Sequence, residues 1–252
     1  MRVERICRYP VKGLSAESLE EVRLSLREGL PEDRIMALSQ ADGAFDPRNP
    51  GWVRKTNFAC LAANARLARL HTAYDATTGI LLIRPPEGAV VLADTASEAG
   101  RRTVEDFVTA WLGEEARGRL SLVRAPGHRF TDIPQKAVSI IGMASLAALE
   151  GATGQTLDPL RFRANIYFSG GTPWAEFDWL GQDIMLGRAK LRVFKRTQRC
   201  AATEVNPLTA ERDATPPRSL RQSFGHMDLG VYAEVVEGGL VAVGDALEPL
   251  SP

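Results

Sequence analysis

"KLRVFKRTQRCAATEVNP", residues 190–207, joins two unlike pieces of chain. KLRVFKR reads as a short strand. Beyond it a loop runs into turn formers, with Lys195, Arg196 and Arg199 crowded against one cysteine, Cys200. Neighbouring cations favour the thiolate, and a thiolate suits soft or high-valent transition metals better than magnesium or calcium. The plainer alternative is a small buried hydrophobe. His71, His128 and His226 are scattered, and none sits in a nucleophile motif. A cysteine protease and a histidine-rich zinc site are both disfavoured.

Outward from that strand the chain stays strand-rich. DIMLG precedes it, and VYAEVVEGGLVAVGDALE comes later as a hairpin expected to turn at Gly238-Gly239. Towards the N-terminus, RVERICRY ends at Pro10, EEVRLSL alternates Val22, Leu24 and Leu26 with polar residues, and IMALS is a further strand. NFACLA looks extended, ARLARL suits a short helix, and GILLIRPPEGAVVL suits a hairpin around residues 85–88. TVEDFVTAWLG places Val104, Phe107, Val108, Trp111 and Leu112 on one helical face, with Thr103 and Asp106 as a capping box and Gly113 as the stop. MASLAALEG is a second helix ending at Gly151. The pattern predicts a mainly β (α+β) protein, a barrel or sandwich with peripheral helices. RAPGHRFTDIPQ, at 124–135, marks the expected seam between residues 1–125, a strand-rich β-barrel-like part, and a barrel over 126–252.

Composition bounds the function. The 252 residues carry 31 Lys plus Arg and 31 Asp plus Glu, so no overall field recruits nucleic acid or an acidic membrane. Cys7, Cys60 and Cys200 lie far apart, form no C-x-x-C pair and cannot ligate an iron–sulfur cluster. Cys7 and Cys60 are expected to pack in strands without chemistry. No run approaches the ~20 apolar residues of a membrane span, and the start shows no signal core; a cytoplasmic protein is expected.

Other candidates for anion binding are spread along the chain. In DPLRFRANIYF, an extended strand would turn Arg161, Arg163 and Asn165 to one side and Phe162, Ala164, Ile166 and Phe168 to the other. Two guanidinium forks and an amide suit a phosphate or carboxylate, although a solvated face is the commoner fate of arginine. In LPEDRIMAL, Arg34 follows two acids, which points to a local ion pair. In YPVKG, Lys12 lies between a rigid proline and Gly13, a residue free to take positive φ.

Taken together, YPVKG, LPEDRIMAL, RFRANI, RTQRCAATEVNPLTAERD and GLVAVGDALE resemble the MOSC family, named for the C-terminal part of molybdenum-cofactor sulfurase. The resemblance is fullest to two-part members with an N-terminal MOSC-associated β-barrel-like domain, such as the mitochondrial amidoxime-reducing component. It implies a MOSC β-barrel and a molybdenum–pterin cofactor. By motif position, Cys200 would be the metal ligand. Lys12, Gly13, Arg34, Arg163 and Asn165 would hold the pterin and its phosphate, Gln198 and Arg199 would contact the cofactor beside the ligand, and Tyr232 falls at the family's late aromatic. Gly13 stands where the family often has Ser, Ala164 where it often has Pro, Gln198 where it often has Ser, and Leu229-Gly230-Val231 where it has FGQ. The implied activity is reduction of a small N-hydroxylated substrate, N–OH to N–H plus water, with electrons from a separate flavin or haem/iron–sulfur donor protein. The FDPRNPGW loop is an expected substrate rim. The alternatives are a non-catalytic cofactor or sulfur carrier, and a barrel that binds only a small anion.

Overall fold

Pro10 and Pro31 punctuate an N-terminal region of short strands: β1 (Arg2–Arg8), β2 (Glu17–Leu19), β3 (Glu21–Leu24) and β4 (Met36–Ser39). These assignments come from a computed structural model that describes residues 1–250. The middle of the chain holds β5 (His71–Asp75), β6 (Ile80–Arg84), β7 (Val91–Asp94), α1 (Glu98–Leu112) and β8 (Ser121–Arg124). The last part supplies β9 (Val138–Gly142), α2 (Met143–Thr153), β10 (Ile166–Ser169), β11 (Asp183–Leu186) and β12 (Ala189–Gln198). It ends with α3 (Pro216–Phe224), β13 (Asp228–Glu237), β14 (Gly239–Ala242) and β15 (Leu247–Pro249).

The principal sheet has eight strands in the order β15-β11-β12-β13-β9-β10-β1-β2, curled into part of a barrel. Only β9 and β10 run parallel, and they are joined through α2. Both ends of the chain enter this sheet. β1 pairs with β10 and β15 with β11, while β3 and β14 form a separate two-stranded sheet in the register Leu24↔Gly239. The interior of the principal sheet is a single apolar cluster that includes Ile6, Leu24, Ile140, Ile166, Leu191 and Val231. A second cluster fills the space between the β4–β8 pair, the three-stranded β5-β6-β7 sheet and α1, with Leu38, Leu81, Ile83, Val104 and Val108 at its centre. No helix of the described residues is long and apolar enough to cross a membrane.

Several expectations need correction. The Gly238-Gly239 hairpin does not form: β14 leaves β13 and pairs with β3 instead. A Cβ on Gly239 would lie 2.1 Å from the Arg188 carbonyl oxygen, so this glycine serves a close backbone crossing and not a tight turn. α1 begins at Glu98, capped by Ser97, whose Oγ accepts the Gly100 N–H at 3.0 Å. Thr103 lies inside the helix and bonds the Ala99 carbonyl, so it caps nothing. α2 runs past Gly151 to a left-handed stop at Gly154. Leu26 lies beyond β3 and is exposed. NFACLA is a 3₁₀ turn and loop with a single bridge, Ser39↔Phe58. The hairpin over 80–94, the short helical turn at Ala65–Arg69 and the stop at Gly113 occur as expected.

Candidate cofactor site

A cleft opens where the ends of β12 and β13 meet the loops after β1 and β4. It holds about 870 Å³ of empty space out to its mouth. Lys12, Gly13, Arg34, Arg163, Asn165, Gln198, Arg199, Cys200 and Tyr232 all line it, brought together from across the sequence. Six cationic side chains (Lys12, Arg34, Lys55, Arg161, Arg163 and Arg199) face a single lining carboxylate, Asp132.

Segment 159–165 reaches the cleft by a route the alternation argument did not foresee. Pro159–Phe162 is a 3₁₀ turn, and Arg163 takes a left-handed conformation at φ 52°. The strand begins only at Ile166. Nor is this a solvated face: Arg161 and Asn165 are both buried. Ala164, where proline was the family habit, donates its N–H to Tyr167 Oη at 3.0 Å, a bond proline lacks. Arg163 Nη1 bonds the Leu14 carbonyl at 2.7 Å, and its guanidinium lies 4.2 Å from the Tyr9 ring centroid. Burial lowers the Arg163 pKa to about 10. Arg34, also left-handed at φ 50°, covers the same ring at 4.7 Å, pairs with Asp33, and donates to the Arg163 carbonyl at 2.9 Å. Two adjacent strained arginines over one tyrosine form a cationic wall.

Asn165 is largely committed within the fold. Its Oδ1 accepts from Ser139 N (3.1 Å) and Ser139 Oγ (2.8 Å), and its Nδ2 donates to the Cys7 carbonyl (3.1 Å). It therefore ties β9, the start of β10 and β1 together, leaving one amide hydrogen for the cleft. Gly13 sits at φ 85°, and a Cβ there would lie 3.0 Å from the Ala59 carbonyl, so glycine in place of serine suits this backbone.

Lys12 is buried, not an exposed loop lysine. Its Nζ donates to Phe130 O at 2.9 Å and to Asp132 Oδ1 at 2.6 Å. Lys55 approaches the other oxygen of Asp132 at 3.8 Å and lines the same cleft as Cys200. Burial opposes ionisation of Asp132, but the two ammonium groups overcome it and hold the carboxyl well below the usual range. Sequence reasoning missed Lys55 and Asp132. The expected rim loop is also corrected. Phe45 is buried against Phe58, His128 and Phe130, and neither it nor Trp52 lines the cleft.

Around Cys200, only one of the three sequence-adjacent cations faces the cleft. Lys195 and Arg196 are exposed on β12, and Arg196 stacks on Phe177 at 4.2 Å. Arg199 is buried: Nε and Nη2 donate to the Leu229 carbonyl, and Nη1 donates to Phe162 O at 2.8 Å. Burial lowers its pKa. Gly230 sits beneath it at φ 79° while Val231 points into the core, so the changed FGQ segment still supplies an acceptor and a glycine. Tyr232, paired with Ser139 and Lys195, closes one side; burial raises its pKa.

Three buried atoms of cleft-lining residues have no partner among the described residues: Arg163 Nη2, Arg161 Nε and Thr197 Oγ1. Unpaired donors of this kind are costly without a ligand. No group of three or more His, Cys, Asp and Glu is arranged to hold a metal among the described residues. The donor set, one sulfur amid excess positive charge, therefore fits a metal whose remaining ligands come from an anionic organic chelate.

Residues 1–117 match the MOSC N-terminal beta barrel domain, and residues 127–248 match the MOSC domain. The chain belongs to the MOSC family. Mitochondrial amidoxime-reducing component 1 of Xenopus laevis is 29% identical over 43% of this MOSC chain and 34% of its own length. Molybdenum cofactor sulfurase of Danio rerio is 26% identical over 89% of this chain and 31% of its own. The chain thus spans about a third of these relatives. Among solved structures, the YuaD protein of Bacillus subtilis aligns over 100% of this chain and 96% of its own, at 13% identity and a TM-score of 0.47. MOSC domains are associated with the molybdenum cofactor, which places this chain in molybdenum-cofactor biochemistry.

Proposed function

We propose that the cleft holds a molybdenum–pterin cofactor through Cys200 and that the protein reduces small N-hydroxylated compounds with electrons from a separate flavin or haem/iron–sulfur donor protein. The observation that carries this reading is the meeting of Cys200 with unpaired buried guanidinium nitrogens in one cationic cleft. When bound, the molybdenum centre would supply two-electron removal of oxygen from N–OH, leaving N–H and water.

The chain's own residues would do the rest. Cys200 would ligate the metal, while Arg163, Arg34 and Lys12 would hold the pterin phosphate by charge-assisted hydrogen bonds. Three of the five Arg199 N–H groups are held by backbone carbonyls, so it would act mainly as a fixed positive wall beside the sulfur, with two N–H groups left for a ligand. Asp132, kept ionised between Lys12 and Lys55, would accept a hydrogen bond from the substrate's N–OH or N–H.

A second reading, a carrier of the cofactor or its sulfur, is favoured by the wider span of the sulfurase match. Both readings expect bound molybdenum, and only the first expects benzamidoxime reduction with an artificial electron donor. The test is metal analysis of wild type and Cys200→Ser produced in a cofactor-competent host. Cys200→Ser should lose most of its molybdenum while keeping the melting temperature of cofactor-free wild type. Equal occupancy would reject ligation by this sulfur.

A further inference from the structure

Cys60 is the nucleophilic side chain that the proposed chemistry leaves idle. It was expected to pack in a strand, but it lies in the loop after Phe58 and lines the same cleft as Cys200. One side chain ties the cysteine segments together. The Arg212 guanidinium donates from Nη1 to Ala201 O (2.9 Å) and from Nη2 to Leu61 O (3.1 Å) and Ala62 O (2.8 Å). The residues directly after each cysteine therefore share one planar fork. Lys55 lines the cleft together with both cysteines. Cys7 is the contrast: it is sealed in β1, and burial pushes its thiol up to about 11.

We propose that Cys60 and Cys200 are a redox modification site, forming a reversible disulfide across the cleft when no cofactor occupies it, with a hydroperoxide as oxidant. The Cys200 sulfur takes one oxygen from the peroxide, breaking the O–O bond, and becomes a sulfenic acid as the first water leaves. The Cys60 sulfur then attacks that sulfur, expelling its hydroxyl as the second water. For hydrogen peroxide the balance is two thiols and one peroxide in, one disulfide and two waters out. Both electrons pass from sulfur to the O–O bond. A disulfide needs the two Cα atoms within roughly 7 Å. Cys60 sits in a loop and Cys200 just beyond the end of β12, so closure adjusts loops without breaking the sheet. The bond would spare the more accessible sulfur from irreversible oxidation, and its presence excludes metal ligation by Cys200.

The test uses protein made in a host unable to synthesise the pterin, so its outcome does not depend on whether the loaded protein is a reductase. Hydrogen peroxide is added, free thiols are counted after denaturation, and peptides are mapped without reduction. The expected result is loss of two of the three thiols, a peptide linking Cys60 to Cys200, and full recovery with dithiothreitol. Cys60→Ser should instead accumulate sulfinic acid at Cys200. Absence of the linked peptide in wild type, with Cys200 over-oxidised as fast as in Cys60→Ser, overturns the proposal. So does a Cys200–Cys200 link between chains.

Discussion

Segments 159–165 and 195–200 both deliver arginine to the cleft, Arg161 and Arg163 from the first and Arg199 from the second, by opposite means. The first abandons extended structure: a 3₁₀ turn and a left-handed Arg163 swing its polar groups inward. The second stays a strand through Gln198, and register shifts between Val193 and Lys195 and between Arg196 and Gln198 re-aim its side chains. Lys195 and Arg196 end outside while Arg199 ends inside. A bulge changes which face the later residues occupy, so spacing along the chain is a poor guide there. The first segment stores strain in φ, whereas the second stores its precision in the glycine beneath Arg199.

That difference is most sharply tested at Gly230. An alanine there would hold positive φ and place its Cβ 2.4 Å from the Ile140 carbonyl oxygen, 2.6 Å from Ile141 and 3.3 Å from Arg199 Nη2. The expected cost is about 3 kcal/mol or more, read as a lower urea midpoint. Molybdenum content should fall with it, because Arg199 must move. An unchanged midpoint would mean that the second segment does not depend on this backbone approach.

The first segment can be separated into backbone and side chain at Arg163. Arg163→Gly relieves the left-handed strain but loses the Leu14 bond and the Tyr9 stack, so stability should change by no more than about 1 kcal/mol. Cofactor loading should fall about tenfold or more, since a charged donor to phosphate is gone. Arg163→Ala, which keeps the strain, should be about 1 kcal/mol less stable than Arg163→Gly. Loading equal to wild type in both variants would remove Arg163 from the anion-binding set.

These contrasts show what the sequence could convey. Motif order brought nine residues to one cleft, and strand periodicity indicated a mainly β chain. Alternation failed at 161–165 because a turn and a strand starting at 166 share the same residue types. Gly238-Gly239 looked like a hairpin because close crossing and tight turning select the same residue. Lys55 and Asp132 were hidden for another reason. Lys55 opens a 3₁₀ turn just after the Pro/Gly-rich FDPRNPGW stretch and Asp132 lies in an irregular loop, neither showing periodicity, and their relation exists only once Lys12, from a third segment, lies between Phe130 and Asp132.

The smallest effect belongs to Arg196, which chain proximity alone would rank beside Arg199. It is exposed, stacks on Phe177, and is absent from the cleft lining. Arg196→Ala removes one exposed cation–π contact, so stability should drop by about 0.5–1 kcal/mol. Molybdenum content should match wild type, because Lys55 and Arg199 line the cleft with Cys200 and Arg196 does not. A large loss of metal in Arg196→Ala, with folding intact by circular dichroism, would restore the sequence-neighbour view of the thiolate. It would also mean that the bulges of β12 do not sort inward from outward cations.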